Sequence, residues 1–317
     1  MSQVYVLAPQ SGGQVDPVAA ELITAARVFG DVTAVVVGEP GVGSAVQPAL
    51  AEAGAARVVS AEAPDYAQRL LLPEVDAVSI LAAQNPAPIV LPATPAGNEI
   101  AGRLAARVAS GVLCDVVALN PDRTARQSIF GDTVEVSSAV GGNSPIYTVR
   151  PGAVAANPQQ AAGALDVLPL PGASVKDVKV TDFAPAVRGS RPELTQAKIV
   201  VCGGRGLGSK EEFERLVGGL ADALGAAVGG TRDAVELGYI DGQYQVGQTG
   251  VTISPDVYIG VGISGAIQHT SGMQTSTKII AINEDEDADI FKIADLGIVG
   301  DLFDIVPQLI DRLPQEN

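Results

Sequence analysis

The chain has 317 residues, 36 acidic against 20 basic, for a formal charge of −16, with 47% hydrophobic and only 4% aromatic residues. Such an excess of negative charge repels phosphate backbones, and the absence of tryptophan weakens any stacking platform, which argues against a nucleic-acid partner. The length exceeds one ordinary core and predicts two domains, and the wealth of Ala, Val and Gly suits an α/β protein whose strands are covered on both faces.

The start, MSQVYVLAP, runs straight into a strand without a basic leader, and no apolar run approaches the ~20 residues of a membrane span. The expected location is therefore cytoplasmic. Buried strands are predicted at 4–8, 32–38, 57–61, 77–83 (AVSILAA), 88–93 and 113–119. Between them, DPVAAELITAARVFG and GNEIAGRLAARVAS read as helices, the second with Ile100, Leu104 and Val108 along one face. This alternation implies a parallel sheet with right-handed crossovers. Beyond residue 120, RQSIFGDTVEVSSA and SPIYTVRPGA read as antiparallel strands, and PGAVAANPQQAAGALDVLPLPGA as a loop. A boundary falls near residue 187, in APAVRGSRPEL.

The pattern restarts at AKIVVCGGRGLGSKEEFERLVGGLADALGA with a strand at 198–202, a glycine-rich turn and a helix. Ser209 with Glu212 forms a capping box, Phe213, Leu216, Val217, Leu220 and Leu224 form the buried stripe, and Gly225 is the stop. The predicted fold class is α/β in two domains: an N-terminal parallel-sheet domain over 1–186 and a C-terminal Rossmann-like domain over 187–317. Cys114 and Cys202 lie in separate apolar runs and read as buried free thiols, not as a metal pair.

Several stretches have the residue types of a binding site. GGRGLGS (203–209) is either an anion-binding loop or a tight turn; Arg205 inside it favours a bound anion. It departs from the dinucleotide fingerprint, because Gly208 stands one position early. Thr231–Arg232 opens a helix after a short strand, and Gln248–Thr249 sits between two glycines, exposing an amide and a hydroxyl. His269, the chain's one histidine, follows the strand DVYIGVGISG in AIQHTSGM. No nucleophile elbow or ligand set accompanies it, so a satisfied polar group or a donor to a cofactor remain the readings. The run AIN ends a strand at Asn283, an acidic EDED loop follows, and Asp295 ends the next short segment.

In sequence order, GGRG, TR, VGQTG, SGAIQH, AIN and AD-x-GIVGDLF resemble the alpha subunit of electron transfer flavoproteins. The resemblance is strongest over 198–307 and looser over the first domain, where LPATPAGNEIAGRLAARVASGVLCDVVAL carries it. It implies FAD bound mainly by the second domain, and a smaller beta subunit that completes a heterodimer and carries AMP. It further implies Arg205 at the pyrophosphate, Thr231 and Arg232 beside the flavin, and Val246, Gly247, Gln248 and Thr249 approaching the ring. Ser264, Gly265, Ala266, Ile267, Gln268 and His269 line the cofactor, with His269 donating to the flavin O2 edge. The resemblance places Asn283, Asp295 and Leu296 at the adenosine end. Thr231 stands where serine is common, and the loop 284–289 is more acidic than usual.

The resemblance also implies a carrier with no catalytic residue of its own. Electrons come from dehydrogenases such as acyl-CoA dehydrogenases and go to a membrane quinone oxidoreductase. The alternatives are a subunit of an electron-bifurcating flavoprotein, a nicotinamide-dependent hydride-transfer protein, and an adenine-nucleotide sensor built on the first domain.

Overall fold

The computed structural model describes residues 2–130, 133–175, 177–183 and 189–313. The chain divides into two compact units, Met1–Ser128 with Glu135–Pro185, and Ala186–Asn317 with Ile129–Val134. The boundary expected near residue 187 lies outside the described residues.

In chain order the elements through residue 169 are β1 (Gln3–Leu7), β2 (Gln10–Ser11), β3 (Gln14–Val15), α1 (Val18–Ala26), β4 (Asp31–Gly38), α2 (Val42–Ala53) and β5 (Arg57–Glu62). There follow α3 (Leu72–Gln84), β6 (Ile89–Pro92), α4 (Pro95–Val108), β7 (Val112–Leu119), β8 (Ala125–Ile129), β9 (Val134–Ser138), β10 (Ile146–Val149) and β11 (Ala164–Pro169). They build a nine-stranded sheet in the order β11-β5-β4-β1-β6-β10-β7-β8-β9. It is parallel from β11 to β7, and β8 runs antiparallel to β7.

Strand β4 shows why both faces are covered. Val32, Ala34 and Val36 enter one apolar cluster with Leu22 and Leu50 of α1 and α2, while Val35 and Val37 enter another with Val78 and Leu104 of α3 and α4. Each such aliphatic side chain contributes about 1.5–3 kcal/mol on burial.

Several sequence expectations are corrected here. The run 77–83 belongs to α3, not to a strand: Pro73 occupies the first helical turn, and Val75, Val78 and Ala82 face the core at helical spacing. A short apolar run carries no decisive period of its own, and the preceding residues settle its type. SPIYTV forms β10, which is parallel and inserted between β6 and β7, and all four of its residues are buried. Local pattern reports burial but not strand direction. The loop expected over 151–173 contains β11, an edge strand paired in parallel with β5. Cys114 is exposed, whereas Cys202 is buried as expected.

The second unit contains β12 (Ile199–Gly203), α5 (Lys210–Phe213), a π turn (Glu214–Gly218), α6 (Gly219–Leu224), β13 (Ala227–Gly230), α7 (Arg232–Glu236), β14 (Val257–Val261), α8 (Ile267–Thr270), β15 (Lys278–Asn283), β16 (Leu296–Val299) and α9 (Leu302–Arg312). Ser209 caps α5, its hydroxyl accepting from Glu212 N at 3.1 Å. The reciprocal half of the box is missing, because the Glu212 carboxylate pairs with Arg215. Gly225, at φ +60°, ends α6 in the left-handed region.

The five strands are all parallel, in the order β13-β12-β14-β15-β16. One apolar cluster covers one face with Phe213, Leu216, Leu220 and Val306, and a second covers the other with Tyr258, Met273 and Ile279. The winding reverses between β12 and β14: the chain steps outward from β12 to β13, then crosses back to β14 and onward. In a doubly wound sheet this reversal opens a crevice beyond the carboxyl ends of the two strands.

Candidate functional site at the strand switch point

Two loops meet in that crevice. After β12, Gly204 N donates to Val261 O at 3.0 Å, and Gly206 N to Gly262 O at 3.3 Å. Their closeness depends on missing side chains: a Cβ on Gly204 would stand 2.2 Å from Gly262 O. Gly262 itself, at φ +63°, turns the chain at the end of β14. Buried Leu207 anchors the intervening turn, which leaves Arg205 pointing outward, 3.7 Å from Asp233.

Beyond β13, Thr231 caps α7 by accepting from Ala234 N at 3.3 Å. Arg232 opens that helix and pairs with Glu236 at 2.6 Å. Both arginine pairs are exposed and contribute little to stability, so the guanidiniums are exchangeable toward another anion. The turn Gly247–Gly250 is held by Gln248 N donating to Gln268 O at 2.7 Å, and Thr249 Oγ1 accepts from Gln245 Nε2 at 2.9 Å.

These loops enclose a cavity of about 610 Å³, within the range of small-molecule and cofactor sites. Of the sequence-predicted residues, Arg205, Thr231, Arg232, Val246, Gln248, Thr249, Ser264, Ala266, Gln268, His269 and Asn283 line it together. Gly247 and Gly265 act one step behind the wall. A Cβ on Gly247 would lie 2.4 Å from Gln268 O, and one on Gly265 2.2 Å from Ile290 N. Ile267 does not line the cavity and is exposed. A second cavity in this unit, about 750 Å³, is bounded by Arg191, Leu194, Phe213, Tyr239 and Tyr244. It is larger, but it lies away from the switch point and lacks the convergent loop ends.

Two expected roles are corrected. Asp295 and Leu296 stand where β16 begins, opposite the start of β15, and therefore at the other end of the sheet from the crevice. There the Asp295 carboxylate accepts from Ile279 N at 2.9 Å and Lys278 Nζ at 3.0 Å. The backbone N–H first, and Lys278 second, hold it below the usual carboxylate range. Asp301, beyond the far end of β16, stands at the crevice end of the sheet: it caps α9, next to Gly300, whose N–H donates to Asn283 O at 3.0 Å.

His269, expected as a donor to the cofactor, stands on the cavity wall. The ring is buried, its Nδ1 is 3.0 Å from Val246 O, and its Nε2 is 2.6 Å from the Tyr258 hydroxyl. Burial pushes its pKa down to about 4, so the imidazole is neutral at pH 7. A carbonyl only accepts, so in this arrangement the ring proton belongs on Nδ1. Asn283 is likewise engaged internally, its Nδ2 donating to Ile263 O at 2.9 Å and its Oδ1 accepting from Asp285 N at 3.0 Å.

The sequence reading singled out the GGRGLGS loop but did not name Gly204, Gly206, Gly262 or Ile263 as site residues; all four line the cavity. The signal for the first two was present in GGRG, but that for Gly262 appears only when two strand ends are brought side by side. Among the described residues no group of three or more His, Cys, Asp and Glu is arranged to hold a metal ion, and no helix is long and apolar enough to cross a membrane.

A doubly wound parallel sheet with a glycine-floored, arginine-rimmed crevice at its switch point defines a nucleotide-binding α/β protein. Comparison with known proteins makes the class specific. A family profile described as "Electron transfer flavoprotein domain" matches residues 4–173, and one described as "Electron transfer flavoprotein FAD-binding domain" matches residues 193–274. The chain is 50% identical over 314 residues to the electron transfer flavoprotein subunit alpha of Mycobacterium tuberculosis (strain ATCC 25618 / H37Rv), covering 99% of this chain and 98% of that one. It is 40% identical to the Paracoccus denitrificans subunit alpha, with 93% and 94% covered, and 38% identical to Protein FixB of Clostridium saccharobutylicum, with 97% and 95% covered. The chain belongs to the electron transfer flavoprotein alpha-subunit family, and its second unit carries that family's FAD-binding domain.

Proposed function

We propose that this chain is the FAD-holding alpha subunit of a heterodimeric electron transfer flavoprotein of the cytoplasm. Its partner is a beta subunit carrying AMP. It takes electrons from dehydrogenases, acyl-CoA dehydrogenases among them, and passes them to a membrane quinone oxidoreductase.

The observation that carries this reading is the convergence, at one switch-point cavity, of Arg205, Arg232, the Gly204–Gly206 cradle and the Gln248–Thr249 turn. A close glycine cradle beside an exchangeable guanidinium suits a pyrophosphate, so Arg205 and its loop hold that part of the cofactor. Arg232, Gln248 and Thr249 orient the flavin ring, and the stretch Ser264–His269 walls it. Asn283 braces the adenosine end through its bond to Ile263 O.

Bound FAD supplies reversible electron storage. The chain's own residues bind it, orient it and set the charge around it. Arg232 brings a guanidinium, and so positive charge, to the wall of the cofactor site. Neutral His269 contributes the ring's bulk and excludes water, and Gln248 and Thr249 supply a neutral amide and hydroxyl.

The test is the visible spectrum of the full chain purified with its native partner, followed during stepwise anaerobic reduction. Flavin absorbance that bleaches and returns on reoxidation supports the reading. A colourless complex, with a beta-like partner demonstrably present, sinks it. Direct reduction by NADPH without any dehydrogenase would instead indicate a hydride-transfer protein.

A further inference from the structure

The walls of the switch-point cavity carry more negative than positive charge. Arg205 and Arg232 line it, but so do Asp233, Glu236 and Asp285. Such a lining does not draw an anion in by its net field. What it offers a phosphate depends on which guanidinium is free to turn toward it.

The two arginines differ in that respect. Arg232 donates from Nε to Glu236 at 2.6 Å, a charge-assisted hydrogen bond between neighbouring turns of α7. Arg205 has a looser partner. Its Nη1 stands 3.7 Å from Asp233 Oδ2, too far for a hydrogen bond, so its N–H donors are not spent on the carboxylate. The two side chains are 76% and 56% exposed, and water screens their attraction. The pair also spans two elements, the turn after β12 and α7 after β13. Hydrogen bonds from Gly204 N to Val261 O and from Gly206 N to Gly262 O fix the backbone on the Arg205 side. The Thr231 cap fixes it on the other. Only the long arginine side chain is left to move between two anions.

We propose that Asp233 is the resident anion of the cavity rim: it holds the Arg205 guanidinium while no phosphate is bound, and a pyrophosphate-bearing ligand binds by drawing that guanidinium away. Asp233 is therefore a positioning residue that limits affinity, because every binding event breaks the Arg205–Asp233 pair. The ligand class follows from the chemistry of a guanidinium beside a glycine cradle. That the ligand is FAD rests on the cofactor reading given above. An exposed pair of this kind is worth a few-fold in a binding constant, and the scale expected here is about threefold.

The test is a double-mutant cycle on the full chain with its native partner, stripped of flavin. FAD binding is followed by flavin fluorescence and inorganic pyrophosphate binding by calorimetry, both at low salt. Asp233→Asn should bind each probe about threefold tighter, and Asp233→Ser, which also removes the charge, should do the same. At about 1 M salt, where the screening length is about 3 Å, the gain should vanish. Arg205→Gln should weaken both probes, and in that background Asp233→Asn should gain less than about 1.5-fold. Unchanged or weaker binding by both charge-removing variants overturns the proposal. So does an equal gain with and without Arg205, which would mean that Asp233 acts on the ligand by charge alone. If the unsubstituted complex binds pyrophosphate but no flavin, the cofactor reading fails while the pyrophosphate cycle still decides the role of Asp233. A complex that binds neither probe overturns both.

Discussion

His269 shows how burial reverses what a residue type suggests. An exposed imidazole titrates near pH 6.5, but here burial lowers the value to about 4. The native state thus favours the neutral ring, and its contribution is fully present above about pH 6.5. It is lost as the pH falls through the native value, to a total of about 3 kcal/mol. Urea denaturation of the wild type and of His269→Asn should therefore differ in pH dependence between pH 6.5 and 4; parallel curves would contradict the buried neutral state. Glycine positions are equally discriminating. Gly204→Ala sets a Cβ 2.2 Å from Gly262 O, and because the obstacle is backbone the two loops must part. Flavin content after desalting should fall sharply, for a cost of about 1–3 kcal/mol. Gly206→Ala, whose Cβ would lie 3.2 Å from the same residue, should be milder.

Among the elements, α4 has the most explicit start signal. Thr94 Oγ1 accepts from Gly97 N at 3.1 Å, and Pro95 begins the helix with its φ already suited to it. Thr94→Ala should cost about 1 kcal/mol in chemical denaturation, whereas Thr94→Ser, which keeps the acceptor, should restore most of that loss. The contrast between α4 and α3 is instructive. Helix α3 has no side-chain cap, and its N-cap Leu71 sits at φ +59°. Its central run of Ala, Val and Ile is equally acceptable in a strand. That is why one helix was legible from its residues and the other was not.

At the scale of the whole molecule, each unit has its own sheet and its own pair of apolar clusters. Expressed alone, residues 189–317 should melt as one cooperative transition and show dispersed amide resonances. A molten, non-cooperative fragment would show that the second unit depends on the first. The two apolar clusters flanking the five-stranded sheet carry this expectation.

Periodicity, capping residues and glycine turns indicated most strands and helices, because these depend on near neighbours in the chain, whereas most of the expected site residues came from the order of motifs that carries the family resemblance. Direction and adjacency were decided only in three dimensions. Parallel β10 between β6 and β7, the edge strand β11, and the end of the sheet on which Asp295 falls are set by strand order, which leaves no local trace. The same holds for His269. Its residue type marks a hydrogen-bonding site, but its partners, Val246 O and the Tyr258 hydroxyl, lie 23 and 11 residues away in sequence. A buried polar group takes its role from whichever partners packing brings within reach.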